Sequence, residues 1–112
     1  MNPCETFDVP AVVTAHDIEH DARIDVEAIY CPAIPMTLHD PAEPAGYEIC
    51  TAKLNVDENM RGLVTDGLIV RVPGGRPVEI EVDPEQFAKL DAIDLDDETL
   101  RDELSTYLIS NA

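Results

Sequence analysis

The chain has 112 residues, 45% of them apolar, with two Phe, three Tyr, no Trp and a net charge of −17. That is enough to build one core without disulfide or metal staples, and too apolar for a disordered chain. No apolar run approaches membrane-spanning length and no secretory signal pattern opens the chain, so the sequence predicts a single domain, 1–112, in the cytoplasm.

The charge is uneven. Residues 1–50 carry ten acids and one base, residues 83–112 carry nine acids and two bases, and residues 51–82 are nearly neutral. Such a surface repels nucleic acid and anionic lipid, and attracts basic proteins over a Debye length of about 8–10 Å. The three cysteines (Cys4, Cys31, Cys50) have no close spacing, which predicts reduced thiols and no disulfide framework. Cys31 and Cys50 bracket a proline-rich segment and are placed to face each other across two strands.

In chain order, residues 1–21 show no clean period, and Pro3 and Pro10 predict an irregular start. From Arg23 to Cys31 alternation sets Ile24, Val26, Ala28 and Tyr30 on one face of a strand and Asp25 and Glu27 on the other. Pro32, Pro35, Pro41 and Pro44 then deny the chain both ladder and helix, predicting a semi-rigid loop over 31–46. Gly46 releases a second strand, in which Tyr47, Ile49 and Thr51 alternate with Glu48, Cys50 and Ala52. Residues 55–67 fit either a short helix from Asp57 closed by Gly67 or a hairpin turning at Asp66-Gly67. "LIVRVPGGRPVEIEV" predicts two strands joined by Pro73 to Pro77, with Val78, Ile80 and Val82 inward and Glu79 and Glu81 toward water.

Residues 83–112 predict two helices. The first has Asp83 as N-cap, Pro84 at its first position, Gln86 completing a capping box and Val82 stapling to Phe87; it fades near Ile93. The second starts at Asp96, with Leu95 stapled to Leu100 and Asp97 and Glu98 in the positive first turn. Leu100, Leu104, Tyr107 and Leu108 form its apolar stripe. The fold class read from these elements is α+β, a small, mostly antiparallel sheet of three to four strands with two C-terminal helices packed on one face.

Motifs for chemistry are sparse. "HDIEH" (His16 to His20) has the spacing of inverted zinc peptidases, but those need a further carboxylate on a separate helix and a cleft to hold it. His16, His20, Cys31 and Cys50 are allowable zinc ligand types without a knuckle to pre-organise them. Counted from Asp94, a calcium loop would need glycine at Thr99 and an acid at Ser105, so that motif fails. No phosphate-binding glycine motif or nucleophile elbow is present. No catalytic residue, metal ligand or cofactor is assigned.

The order Tyr30, Pro32, Pro35, Pro41, Pro44, Glu48, Ile49, followed by the acidic stretch Asp96 to Leu104, resembles small acidic accessory proteins of phage and prophage. In these a strand ending in Tyr-x-Pro leads through a proline-rich loop to a Glu-Ile strand, and an acidic helix closes the chain. Some small acidic phage proteins inhibit host nucleases, restriction or CRISPR systems by imitating DNA. The resemblance therefore implies a non-enzymatic inhibitor or decoy that binds a basic, nucleic-acid-handling protein in the host cytoplasm. Seventeen charges correspond to roughly 29 Å of duplex axis, which makes the imitation useful if the two acidic segments share a face. The partner-facing acids expected first are Asp91, Asp94, Asp97, Glu98 and Asp102. Asp17, Glu19, Asp21, Asp25 and Glu27 come next. The competing reading is an accessory protein, from a halophile by its two Lys against thirteen Asp, whose acidity serves only solubility.

Overall fold

The computed structural model describes residues 4–39, 42, 44–56, 60, 67–89 and 91–111. Its longest feature is an antiparallel hairpin. Strand β1 (Glu5–Ala15) pairs along its whole length with β2 (Ile18–Cys31), from Glu5↔Ala28 to Ala15↔Ile18. The turn is His16–Asp17, both at positive φ (52° and 62°), the type I′ geometry whose twist matches that of paired strands.

The amino-terminal segment is therefore not irregular. Residues Glu5–Ala15 form an internal strand, flanked by β2 and, over Val12–Thr14, by β4 (Gly67–Arg71). Pro10 hid it, because proline in a central strand normally costs a ladder bond. The register removes that cost. Ala15 and Ile18 close a two-residue loop and form a hydrogen-bonded pair, so alternation puts Pro10 at a non-hydrogen-bonded site on the β2 side. Its missing N–H faces the β4 side, where pairing has already ended at Val12↔Arg71.

With β3 (Gly46–Asn55), β5 (Val78–Glu81) and β6 (Ala92–Asp94), the described residues form a sheet of six strands in the order β5-β4-β1-β2-β3-β6, paired antiparallel from each strand to the next. It curls into a half-barrel. This corrects the expected three- to four-stranded sheet with two C-terminal helices. Helix α1 (Pro84–Lys89) is six residues long, capped by the Asp83 carboxylate accepting from the Glu85 amide at 3.0 Å. It does not run on to Ile93, because Ala92–Asp94 pairs with Lys53–Asn55. The Val56 amide donates to the Asp91 carbonyl and the Leu95 amide to the Ala52 carbonyl, both at 2.8 Å, and these bonds extend the ladder. Tertiary pairing overrides a short helical preference there. Among the described residues α2 (Glu98–Asn111) is the one substantial helix.

The side chains of Gln86 and Phe87 lie outside the described residues, as does most of 55–67. Within that stretch Met60 is helical and fully buried, and Gly67 opens β4. In the proline segment β2 stops at Cys31 and β3 starts at Gly46. Met36 and Leu38 between them are 76% and 98% exposed.

The core lies on the inner wall of the curl. Val9, Ala11, Val13, Ile24, Val26, Ala28, Leu54, Leu68, Val70, Val78 and Ile80 meet Leu100, Leu104 and Leu108 of α2 there. Strand β3 reaches this wall through a bulge: Thr51 lies opposite Glu27 and Ile49 opposite Ala28, leaving Cys50 as the extra residue. Tyr47 and Ile49 therefore pack inward before the bulge, and Ala52 and Leu54 after it. Simple alternation grouped Thr51 with Tyr47 and Ile49 and Ala52 with Glu48 and Cys50, whereas Thr51 is exposed and Ala52 is buried in the core. Phe7 and Tyr30 each meet Tyr47 edge-on at 5.3 Å, so three of the five aromatic residues close one end of the core.

Helix α2 begins one residue later than its acidic pattern suggests. The Asp97 carboxylate accepts from the Leu100 amide at 3.0 Å, which makes Asp97 the N-cap in place of Asp96. Leu95 and Leu100 are both buried in the core cluster. In urea melts, Leu104→Ala is expected to cost about 2–4 kcal/mol, as for any leucine emptied from a closed core. Asp97→Ala is expected to cost about 1 kcal/mol and Asp96→Ala almost nothing; the reverse order would return the cap to Asp96.

Candidate acidic interface

Same-face positions on a strand recur every two residues, about 6.6–6.8 Å apart. On β2 this sets Glu19, Asp21, Asp25 and Glu27 in one row on the outer wall, opposite in direction to buried Ile24, Val26 and Ala28. Bases interrupt the row. Arg23 sits at its centre and approaches Asp8 at 3.8 Å, with both side chains mostly exposed. Lys53 lies between Asp25 and Asp94 in the cross-strand register. Asn55 donates to the Asp25 carboxylate at 3.1 Å. Asp17 belongs to the hairpin turn and not to the row.

The acids of α2 do not join this row. Helix α2 covers the inner wall, so its exposed side faces away from the outer wall of β2. The α2 acids and the β2 row lie on opposite layers, whereas Asp94 shares the outer face with Asp25 across Lys53. Glu98 and Asp102 flank Arg101 in a shallow groove of about 340 Å³ beside Tyr47 and Ile49. Arg101 is committed to the fold there, donating to the carbonyls of Leu95 (3.3 Å) and Ile49 (3.4 Å), while Ser105 donates to the Tyr47 carbonyl at 2.8 Å. These side chains satisfy the edge of β3 that β6 does not reach, since β6 pairs only with Lys53 to Asn55. Asp91 lies just ahead of β6.

A different acidic surface arises from closure of the sheet. The two edge strands, β5 and β6, line one cleft of about 410 Å³ together with the approach to α2. Glu79, Glu81, Asp94, Asp96 and Asp97 line it around Ile80, Ile93 and Leu95, and none of the described lining residues is Lys or Arg. Of the acids expected from sequence, the cleft gathers Asp94 and Asp97. Glu79, Glu81 and Asp96 were legible only as outward-facing or capping residues. Nothing local ties 79–81 to 94–97, which the curl of four intervening strands brings together. Among the described residues no group of three His, Cys, Asp or Glu converges as metal ligands do.

The zinc set considered from sequence is dispersed. His16 is in the turn, and His20 stands on the inward side of β2 opposite Val13, with its Nε2 buried and without a hydrogen-bond partner among the described residues. Cys31 is eleven residues further along the same strand, roughly 36 Å away. The "HDIEH" segment is a hairpin end and not a helix. Cys50 faces Cys4 across β2, with 3.5 Å between sulfurs, instead of facing Cys31.

In comparisons with known proteins, no family model, no curated protein and no solved structure matches the chain. Among the described residues no helix is long and apolar enough to cross a membrane.

Arg101→Met keeps the stem and removes the donors, so it is expected to lower stability by about 1–2 kcal/mol in denaturant melts by leaving two carbonyls without these partners. An unchanged melt would free Arg101 from this structural role.

Proposed function

We propose that the protein is a non-enzymatic binding module that captures an extended, lysine- and arginine-rich segment of a nucleic-acid-handling partner in the seam between β5 and β6. The observation that carries this reading is that two edge strands border one cleft whose charged lining, among the described residues, is all carboxylate. A free edge offers backbone hydrogen bonds to an added strand, and alternate side chains of that strand supply selectivity. Glu79, Glu81, Asp94, Asp96 and Asp97 are the acids assigned to it, and their field speeds encounter with a basic chain. Occupying a partner's nucleic-acid-binding segment inhibits it, as a phage-type inhibitor would.

Imitation of a whole duplex is less well supported. The molecule is 55 Å long, and duplex DNA of that length carries about 32 charges, nearly twice the net charge here. The β2 row from Glu19 to Glu27 spans about 27 Å with four acids and one arginine, far below the density of even one DNA strand.

The test is binding of an extended peptide alternating Lys and Val, measured at about 50 and 200 mM salt, with thermal melts confirming that each variant folds. Wild type is expected to bind at low salt and to lose about tenfold or more at the higher concentration. Glu79→Lys with Glu81→Lys and Asp96→Lys is expected to abolish binding, while Glu98→Lys with Asp102→Lys retains it. Unchanged low-salt affinity in the seam triple variant would remove the seam. If reversal of Glu19, Asp21 and Glu27 also had no effect, the acidity would be a solubility device.

A further inference from the structure

Cys4 and Cys50 are 46 positions apart in sequence, yet their Sγ atoms lie 3.5 Å from each other. The register explains the meeting. Cys4 immediately precedes β1, whose first residue Glu5 pairs with Ala28 on β2, and Ala28 pairs on its other side with Ile49. Both thiols thus reach the same stretch of β2 from opposite flanks. Cys50 is the bulge residue, outside the regular ladder, and Cys4 stands ahead of the first ladder pair. Cys4 is exposed and Cys50 partly so, and a small reagent has access to them. Cys31, also exposed, is turned instead toward its own strand, its sulfur 3.8 Å from the Ile29 carbonyl.

We propose that Cys4 and Cys50 are a redox modification site, a dithiol that closes to a reversible disulfide by exchange with a low-molecular-weight disulfide of the oxidised-glutathione type. The sulfurs stand about 1.5 Å beyond the bonded distance of roughly 2.05 Å. Neither thiol is locked in a regular ladder position, so a small shift of the residue ahead of β1 closes the gap.

The chemistry balances in two exchanges. One protein thiolate attacks the small disulfide, forming a mixed disulfide and releasing one small thiolate. The second protein thiolate attacks the protein sulfur of that mixed disulfide, forming the Cys4–Cys50 bond and releasing the other small thiolate. The two protons lost by the protein thiols are taken up by the released thiolates. Two protein thiols are oxidised and one small disulfide is reduced to two thiols. The hydrogen bond with Cys4 raises the Cys50 thiol above its ordinary range, aided by desolvation and by the charges of Cys4, Glu48 and Glu27. Thiolate at Cys50 is therefore scarce near neutrality, and exchange is expected to accelerate as pH rises. The crosslink would tie the start of β1 to the bulge of β3 and restrict a long loop of the unfolded chain.

The experiment treats the full chain with oxidised glutathione and reads intact mass, peptide linkage and Tm. The expected product has lost two hydrogens at Cys4 and Cys50, which are joined to each other and carry no glutathione, while Cys31 is left free or singly glutathionylated. Cys31→Ser is expected to close in the same way, with a Tm higher by about 5 °C or more that dithiothreitol reverses. Cys4→Ser and Cys50→Ser should stop at the mixed disulfide. Stable glutathionylation of both Cys4 and Cys50 in the Cys31→Ser protein, or crosslinks of Cys31 formed as readily as the Cys4–Cys50 bond, would overturn the proposal. This test is independent of peptide binding at the seam.

Discussion

The inner wall of this protein depends on one extra residue in β3. Because side chains on a strand alternate strictly, an unbroken β3 could send either Tyr47 and Ile49 or Ala52 and Leu54 into the core, but not both. The bulge at Cys50 resets the parity, and all four pack against it. The same distortion leaves the carbonyls of Tyr47 and Ile49 at an edge that β6 does not cover. Helix α2 supplies Ser105 and Arg101 to them while its leucines fill the curl. Strand, helix and core are thus coupled through a single irregularity.

The second constraint is the long hairpin. Its backbone accommodates a proline and two positive-φ residues at places where the register makes them cheap: Pro10 beyond the end of β4 pairing, and His16–Asp17 in the turn that needs that conformation. The hairpin carries the centre of the sheet, so β4 and β5 extend it on one side and β3 and β6 on the other. Curling then brings the outermost strands to one cleft. The charge follows the same geometry: acids at alternate strand positions are held apart, and Arg23, Lys53 and Arg71 on the outward side of their strands soften their repulsion.

Sheet edges invite unwanted pairing, and charged side chains are a common defence. Glu79, Glu81 and Asp94 occupy such edge positions here, and in the proposed function they also select what the edges accept. Two copies of this chain meeting at their seams would oppose carboxylate to carboxylate, whereas a basic strand would not. Protection against self-association and the proposed selectivity for a basic partner would then rest on one physical property.

By itself the sequence determined the local facts. Pro32 and Gly46 bound the loop between β2 and β3, alternation oriented Ile24, Val26 and Ala28, and Val78 and Ile80, and the leucine spacing turned one face of α2 inward. These follow from backbone chemistry and side-chain period, which act over a few residues. What only the tertiary structure decided was non-local. Strand β1 was hidden because Pro10 is tolerable only where a distant strand has ended. Strand β6 formed because β3 offered an edge to Ala92–Asp94, and the bulge at Cys50 is visible only against β2. The candidate site belongs to this second class. Asp94 and Asp97 were legible as acids, but their company with Glu79, Glu81 and Asp96 exists only because four strands curl between them.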